Sequence, residues 1–149
     1  MILTIGVDPG PTPGVCVLPA SAAEPVAVFQ CDAASLLPLL RALIEAWGAD
    51  RVVVAVEAWV VGSISRTSRS AGAVTRGLIG EVEALADEFT HVAVVVRRAT
   101  DVKPWATDRR LDAAGLLART AGLPHARDGA RHALFSASRD SGAPDPLLK

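Results

Sequence analysis

A seven-residue segment near the middle of the chain, Arg51 to Glu57, predicts a buried strand. It reads Arg-Val-Val-Val-Ala-Val-Glu, so five apolar residues follow one another with no polar residue on either face. A half-exposed strand would alternate apolar and polar residues, whereas a parallel strand covered on both faces reads as a continuous apolar run. The segment therefore predicts an α/β protein whose sheet is flanked by helices.

The remaining segments alternate between strand and helix patterns, and each change falls at a turn signal. Further strands are predicted over 1–7, 15–18, 26–29 and 91–96. Helices are predicted over 33–47, 71–89, 108–121 and 125–139. The order βββαβαβαα predicts a mixed five-stranded sheet, with three antiparallel strands and two parallel ones, and resembles the ribonuclease H-like type of α/β fold.

The composition is typical of one folded domain. Half of the 149 residues are hydrophobic, which excludes a disordered chain, and the length suits a single core. We expect one domain over 1–140 and an irregular tail over 141–149. Cys16 and Cys31 lie in apolar surroundings without metal-binding spacing, so both are predicted to be free thiols.

No segment predicts a membrane span or a secretory signal. Apolar runs stay well below the ~20 residues that a span requires, and the N-terminus lacks a basic region followed by an apolar stretch. We therefore expect a cytoplasmic protein with no membrane partner. The formal net charge of -1 by itself counts against a nucleic-acid partner.

Three carboxylates stand where a binding site is expected in such a sheet. Asp8 ends the first strand, Glu57 ends the central strand, and Asp128 lies near the start of the last helix. His125 and His132, three residues before and four after Asp128, share its helix face. Several carboxylate ligands favour Mg²⁺ or Mn²⁺, and two such ions about 3.5–4 Å apart can hydrolyse a phosphodiester.

Each acidic residue also has a structural interpretation. Asp8 precedes Pro-Gly and could form an Asx turn, and Asp128 with its neighbouring histidines could be solvated at a helix N-terminus. Glu57 follows five apolar residues, and a carboxylate is costly to bury without a metal ion or a basic partner. The three acids together are a stronger indication of a metal site than any one alone.

Several motifs resemble the RuvC family of Holliday junction resolvases. Ile-Gly-Val-Asp8-Pro-Gly resembles the first-strand motif, and Val-Ala-Val-Glu57 resembles the strand that carries the glutamate. His125-Ala-Arg-Asp128 resembles the closing helix motif, and the segment from Ser70 to Leu78 resembles the long central helix. The sequence around Lys103-Pro-Trp-Ala-Thr is most similar to that of small resolvases of actinobacterial phages and their hosts.

The resemblance implies an enzyme, a metal-dependent endodeoxyribonuclease that resolves four-way DNA junctions by paired cuts as a homodimer. It implies that Asp8, Glu57, Asp128 and His125 hold two Mg²⁺ or Mn²⁺ ions per active site or activate the water. His132 remains an alternative to His125 as the site histidine, and Lys103 matches a basic position near the scissile phosphate.

Basic residues around the acidic edge are candidates for DNA contacts, although any one of them could instead be a solvated surface residue. They are Arg66, Arg69, Arg76, Arg97, Arg98, Lys103, Arg109, Arg110, Arg127 and Arg131. Trp59 and Trp105 flank the predicted site, and each could stack on an unpaired base or pack in the core or a dimer interface.

Other functions remain open at this point. A related ribonuclease H-fold nuclease could act on branched DNA more broadly or on precursor ribosomal RNA. A catalytically inactive junction-binding protein is a further alternative, although the three acids count against it. An Asp-x-Gly motif after a strand also occurs in actin-like sugar kinases, but those enzymes need two such domains.

Overall fold

The computed structural model describes residues 1–24, 26–60 and 68–148, apart from the side chains at positions 68, 69 and 71. Its centre is a five-stranded sheet built from β1 (Ile2–Asp8), β2 (Gly14–Pro19), β3 (Ala27–Gln30), β4 (Arg51–Glu57) and β5 (Val92–Arg97). The strand order is β3-β2-β1-β4-β5. The first three strands form an antiparallel meander, while β4 runs parallel to β1 and β5 parallel to β4. The predicted mixed sheet is confirmed.

The described residues form five α-helices: α1 (Leu36–Trp47), α2 (Ser68–Asp87), α3 (Ala99–Val102), α4 (Asp108–Ala113) and α5 (Pro124–Asp140). Short 3₁₀ turns cover Ala33–Ser35, Ala118–Thr120 and Pro146–Leu148. No helix among the described residues is long and apolar enough to cross a membrane.

The prediction of one helix over 108–121 is wrong. Helix α4 ends at Ala113, and Gly115 then adopts a left-handed conformation with φ of 73°. The amide of Leu116 donates back to the carbonyl of Leu111, which closes the helix end. The apolar spacing of Leu111 and Leu116 suggested a continuous helix because both side chains are buried in the same cluster.

Helices pack on both faces of the sheet. Helices α1 and α2 lie over one face, where Leu3, Ile5 and Val54 belong to the larger hydrophobic cluster. Helix α5 crosses the other face over β1, β2 and β4 and contributes Ala130, Ala133 and Leu134 to a smaller cluster. Cys16 is buried in that cluster, and both cysteines are free as predicted.

Glycines allow α5 to lie directly on the sheet. A Cβ atom at Gly6 would lie 1.9 Å from the carbonyl oxygen of Gly129, and one at Gly14 would lie 1.9 Å from the carbonyl carbon of His125. Since both obstacles are backbone atoms, no side chain fits at either strand position. This close approach brings the first turn of α5 to the end of β1, where Asp8 lies.

The tail after α5 is anchored to α4. Arg110 forms a bidentate ion pair with Asp145, with Nη2 2.8 Å from Oδ2 and Nε 3.1 Å from Oδ1. Pro146, the next residue, is buried. The pair lowers the pKa of the Asp145 carboxyl through the hydrogen bond from Arg110.

Candidate metal centre

The carboxylates of Asp8, Glu57 and Asp128 meet at one end of the sheet. Strands β1 and β4 run side by side, with Val7 paired to Val56, so Asp8 and Glu57 emerge at the same edge. Helix α5 brings Asp128 over that edge. One oxygen from each of the three carboxylates lies within 4.8 Å of the others. The juxtaposition expected from the sequence is present.

Without metal, the pKa values of Asp8 and Glu57 are shifted in opposite directions. Burial, together with the neighbouring charges of Glu57 and Asp128, raises the pKa of Asp8 to about 8. Burial also acts to raise the pKa of Glu57, but hydrogen bonds from His132 and Asp8 outweigh it and leave that pKa below its ordinary value. Near neutral pH, Asp8 is therefore protonated and Glu57 is ionised.

This arrangement fits a divalent cation. Three carboxylates whose oxygens lie within 4.8 Å of one another repel when all are ionised, and the proton that Asp8 keeps reduces that repulsion. An oxygen-rich set of ligands of this kind suits Mg²⁺ or Mn²⁺, whose charge would replace the proton.

A lysine completes the charge balance of the cluster. Lys103 follows α3, and its Nζ lies 3.2 Å from Asp128 Oδ1 and 3.8 Å from Glu57 Oε1. The side chain is 43% exposed, so its ammonium group faces both the carboxylates and the solvent. The short helix α3 that precedes it was not predicted, because four residues carry too little periodicity to be recognised.

The two histidines contact different carboxylates. His125 Nδ1 lies 3.1 Å from Asp8 Oδ2, and its side chain is 47% exposed. His132 Nε2 lies 3.3 Å from Glu57 Oε1, and its side chain is only 1% exposed. His125 thus lies on the open side of the cluster, and His132 lies beneath it.

Gln30 supports the start of α5, and sequence reasoning missed it. Its Oε1 accepts hydrogen bonds from the amides of His125, at 3.1 Å, and Ala126, at 3.4 Å. These amides belong to the first turn of α5 and have no partner within the helix. No sequence signal could identify Gln30, because it caps a helix that begins 94 positions later along the chain.

Several of the candidate DNA-binding arginines are engaged by groups of the chain itself. Arg97 forms a bidentate pair with Asp140 at 2.7 and 2.8 Å, and Arg110 pairs with Asp145. Arg131 donates to the carbonyl of Ala106 and to Asp108, and Arg127 donates to Thr120.

The other candidate cations are more open to solvent. Arg76 and Arg109 are exposed, and Arg98 makes an exposed contact with Asp101. Arg66 and the side chain of Arg69 lie outside the described residues. DNA binding by any of these arginines stays a prediction.

Both tryptophans of interest are packed against protein groups. Trp105 is stacked by the guanidinium of Arg110, 4.6 Å from the ring centre, and meets Phe135 edge to face. Trp59 lies so close to α2 that a Cβ atom at Gly72 would be 2.6 Å from its ring. The indole nitrogen of Trp59 is buried and has no hydrogen-bond partner within the described part of the chain.

Solved structures show the same fold. T. thermophilus RuvC in complex with Holliday junction substrate superposes with a TM-score of 0.65 at 17% sequence identity, covering 94% of this chain and 96% of that chain. A second Thermus thermophilus RuvC structure superposes with a TM-score of 0.59 at 16% identity, covering 95% and 97%. No protein-family model and no curated protein sequence matches the chain. The resemblance predicted from the sequence motifs is confirmed at the level of the fold, which is ribonuclease H-like.

Proposed function

We propose that this protein is a metal-dependent endonuclease that cuts four-way DNA junctions. The observation that carries the proposal is the cluster of Asp8, Glu57 and Asp128 at one edge of the sheet. It is supported by the likeness to RuvC, a protein solved in complex with a Holliday junction, over nearly the whole chain.

The three carboxylates would hold Mg²⁺ or Mn²⁺, with His125 as the most accessible further ligand. Two ions bound there would lower the pKa of an attacking water and stabilise the leaving oxygen of the phosphodiester. His125 is open to solvent beside Asp8, so it can either complete the ligand set or accept the proton of the water. Loading of the site requires Asp8 to lose the proton that it keeps in the metal-free protein.

Lys103 would bind the phosphate that is cut. Its ammonium group lies beside Asp128 and is partly exposed, so a phosphate oxygen can replace a solvent contact there. With divalent cations bound, the carboxylates would hold Lys103 less strongly, and its ammonium group would be available to stabilise negative charge on the phosphate in the transition state.

DNA binding is compatible with the nearly neutral composition. The formal net charge of -1 counts the three site carboxylates, and two divalent ions would add four positive charges at the place where DNA docks. We therefore expect junction binding to depend on metal and to weaken steeply with salt.

We propose that the active form is a homodimer. A four-way junction is resolved by two paired cuts, and the described residues of one chain contain one carboxylate cluster. Two copies related by a two-fold axis would place one cluster at each strand to be cut. Sedimentation with and without junction DNA tests this assembly.

The activity is tested with a synthetic mobile junction, a flap, a plain duplex and a structured RNA, each with Mg²⁺ or Mn²⁺. We expect paired nicks in the junction, loss of cutting in Asp8→Asn and Glu57→Gln, and retained cutting in the exposed-site control Asp87→Asn. Intact junction at high enzyme concentration would refute the proposal. Faster cutting of the flap or the RNA would instead identify a nuclease with another substrate.

Metal titration separates an enzyme from an inactive junction-binding protein. Mn²⁺ that binds wild type but not Glu57→Gln would support the carboxylate site. Junction binding that is equally tight with and without metal, together with no Mn²⁺ binding, would identify a protein that binds junctions without cutting them.

A further inference from the structure

The imidazole of His132 is an unusual group for its location. It is a buried residue of α5, like Ala126, Ala130 and Ala133, and it is among the largest fully buried side chains described. A buried polar ring destabilises the fold unless its nitrogens find partners. Its Nε2 has one, because it lies 3.3 Å from Glu57 Oε1.

The geometry points to His132 as a positioning residue for Glu57 rather than a metal ligand. This inference rests on the proposed metal site. His132 Nε2 would donate its hydrogen to Glu57 Oε1, which fixes the carboxylate and leaves its other oxygen for the metal ion.

The contact itself excludes Nε2 from the ligand set. Glu57 must be ionised to bind a cation, and an ionised carboxylate only accepts hydrogen bonds, so the facing nitrogen carries the hydrogen. A protonated ring nitrogen has no lone pair for a metal.

Lys103 approaches the same oxygen but cannot fix it in the same way. Its Nζ lies 3.8 Å from Glu57 Oε1, beyond a normal hydrogen bond, and closer to Asp128. Its side chain is 43% exposed and free to move toward a phosphate, whereas the His132 ring is enclosed. His132 is therefore the enclosed support of Glu57, and Lys103 is the exposed cation near the same oxygen.

Hydrogen-bond partners of metal ligands contribute strongly to metal affinity, and their loss weakens binding about 10–100-fold. A group that only positions a ligand has a distinctive signature. Its loss weakens metal binding, but saturating metal restores most of the rate, and a side chain that supplies the same hydrogen bond restores the affinity.

The test uses three substitutions at this position. His132→Gln places an amide N–H near the position of Nε2, His132→Asn has the same chemistry but is too short to reach Glu57, and His132→Leu fills the space without a donor. His91, which packs against Phe89, provides the matched control His91→Gln. Mn²⁺ binding is measured on the full chain without DNA from the free-ion EPR signal, and cleavage is measured as a function of Mn²⁺ concentration.

We expect His132→Asn and His132→Leu to bind Mn²⁺ about 10–100-fold more weakly than wild type. His132→Gln should stay within a few-fold of wild type, and His91→Gln should be unchanged. At saturating Mn²⁺, the weakened variants should recover cleavage to within a few-fold. If His132→Leu fails to fold, the comparison of His132→Gln with His132→Asn still decides the outcome.

Two results would overturn the inference. Equal Mn²⁺ affinity in wild type, His132→Asn and His132→Leu would show that the contact does not support Glu57. Equal loss in His132→Gln and His132→Asn, with cleavage not restored by saturating Mn²⁺, would assign His132 a direct role at the metal. Wild type that binds Mn²⁺ but cuts no junction would refute the proposed activity alone, while the affinity ratios would still support or overturn the positioning role. Wild type that binds no Mn²⁺ would overturn both.

Discussion

Replacing Asp8 with asparagine should stabilise the metal-free protein at neutral pH. Burial and the charges of Glu57 and Asp128 raise the pKa of Asp8 from 3.8 to about 8. Between these two pH values the folded chain binds a proton that the unfolded chain releases. The free energy of unfolding therefore falls as the pH rises through this window, and the stability present below pH 3.8 is lost by about pH 8.

The size of the effect follows from the shift. One pKa unit corresponds to about 1.4 kcal/mol, so at pH 7 the Asp8 carboxyl lowers the free energy of unfolding by roughly 4 kcal/mol relative to acid conditions. Asparagine has a similar shape and carries no titrating charge. The pKa of Glu57 is lowered, so that carboxyl makes the free energy of unfolding rise with pH. This change takes place below the ordinary pKa of 4.5, outside the neutral range.

The assay is urea unfolding in the presence of a chelator at pH 4, 5.5, 7 and 8. Asp8→Asn should match wild type within about 1 kcal/mol at pH 4 and exceed it by up to about 4 kcal/mol at pH 7. Asp87→Asn, an exposed substitution of the same chemistry on α2, controls for general effects of removing an aspartate. A variant that is no more stable than wild type at pH 7, or a difference independent of pH, would refute the reasoning. Added Mn²⁺ should reverse the order, because only wild type retains all three carboxylates of the proposed metal site.

Further predictions concern the proton, the lysine, the sheet contact and salt. Because Asp8 must release a proton to bind metal, Mn²⁺ affinity should rise about tenfold per pH unit between pH 5.5 and 7.5, with proton release measurable by calorimetry in buffers of different ionisation enthalpy. Lys103→Met should lower kcat on a junction about 100-fold while leaving Mn²⁺ affinity within a few-fold, and equal kcat would exclude a role in charge stabilisation. Gly6→Ala should destabilise the fold by about 3 kcal/mol or more, since its Cβ would meet the Gly129 carbonyl at 1.9 Å. Gly77→Ala in α2, where nothing lies within 4 Å, should stabilise it by about 0.5–1 kcal/mol, and chemical denaturation of the pair tests both signs. Junction affinity should fall steeply from 50 to 200 mM salt in Mg²⁺, and an affinity unaffected by salt would contradict phosphate recognition.

Local patterns were sufficient to predict the sheet and the positions of the three carboxylates. The continuous apolar run of β4 required burial on both faces, which placed it inside the sheet and made Glu57 the residue at its end. The alternation of strand and helix segments then predicted the strand count and the antiparallel start. These features follow from side-chain spacing and turn residues, which act between near neighbours in the chain.

Helix boundaries were predicted less well where two patterns overlap. Buried leucines continue at helical spacing through Gly115, so the end of α4 became visible only from the left-handed backbone at that glycine. Likewise, the basic character of Arg97, Arg110 and Arg131 was evident, but their carboxylate and carbonyl partners come from distant segments. Only the packed chain shows that these guanidinium groups already have partners.

The sequence by itself determined the fold class and predicted a metal site with its candidate ligands, because residue types and spacing carry that information. It placed His125 and His132 on one helix face and could not distinguish their surroundings. The tertiary structure distinguishes them through the Gly6–Gly129 contact, where α5 packs directly onto the sheet. That contact leaves His125 in solvent beside Asp8 and encloses His132 against Glu57, since burial depends on what covers a side chain and not on its place in the helix.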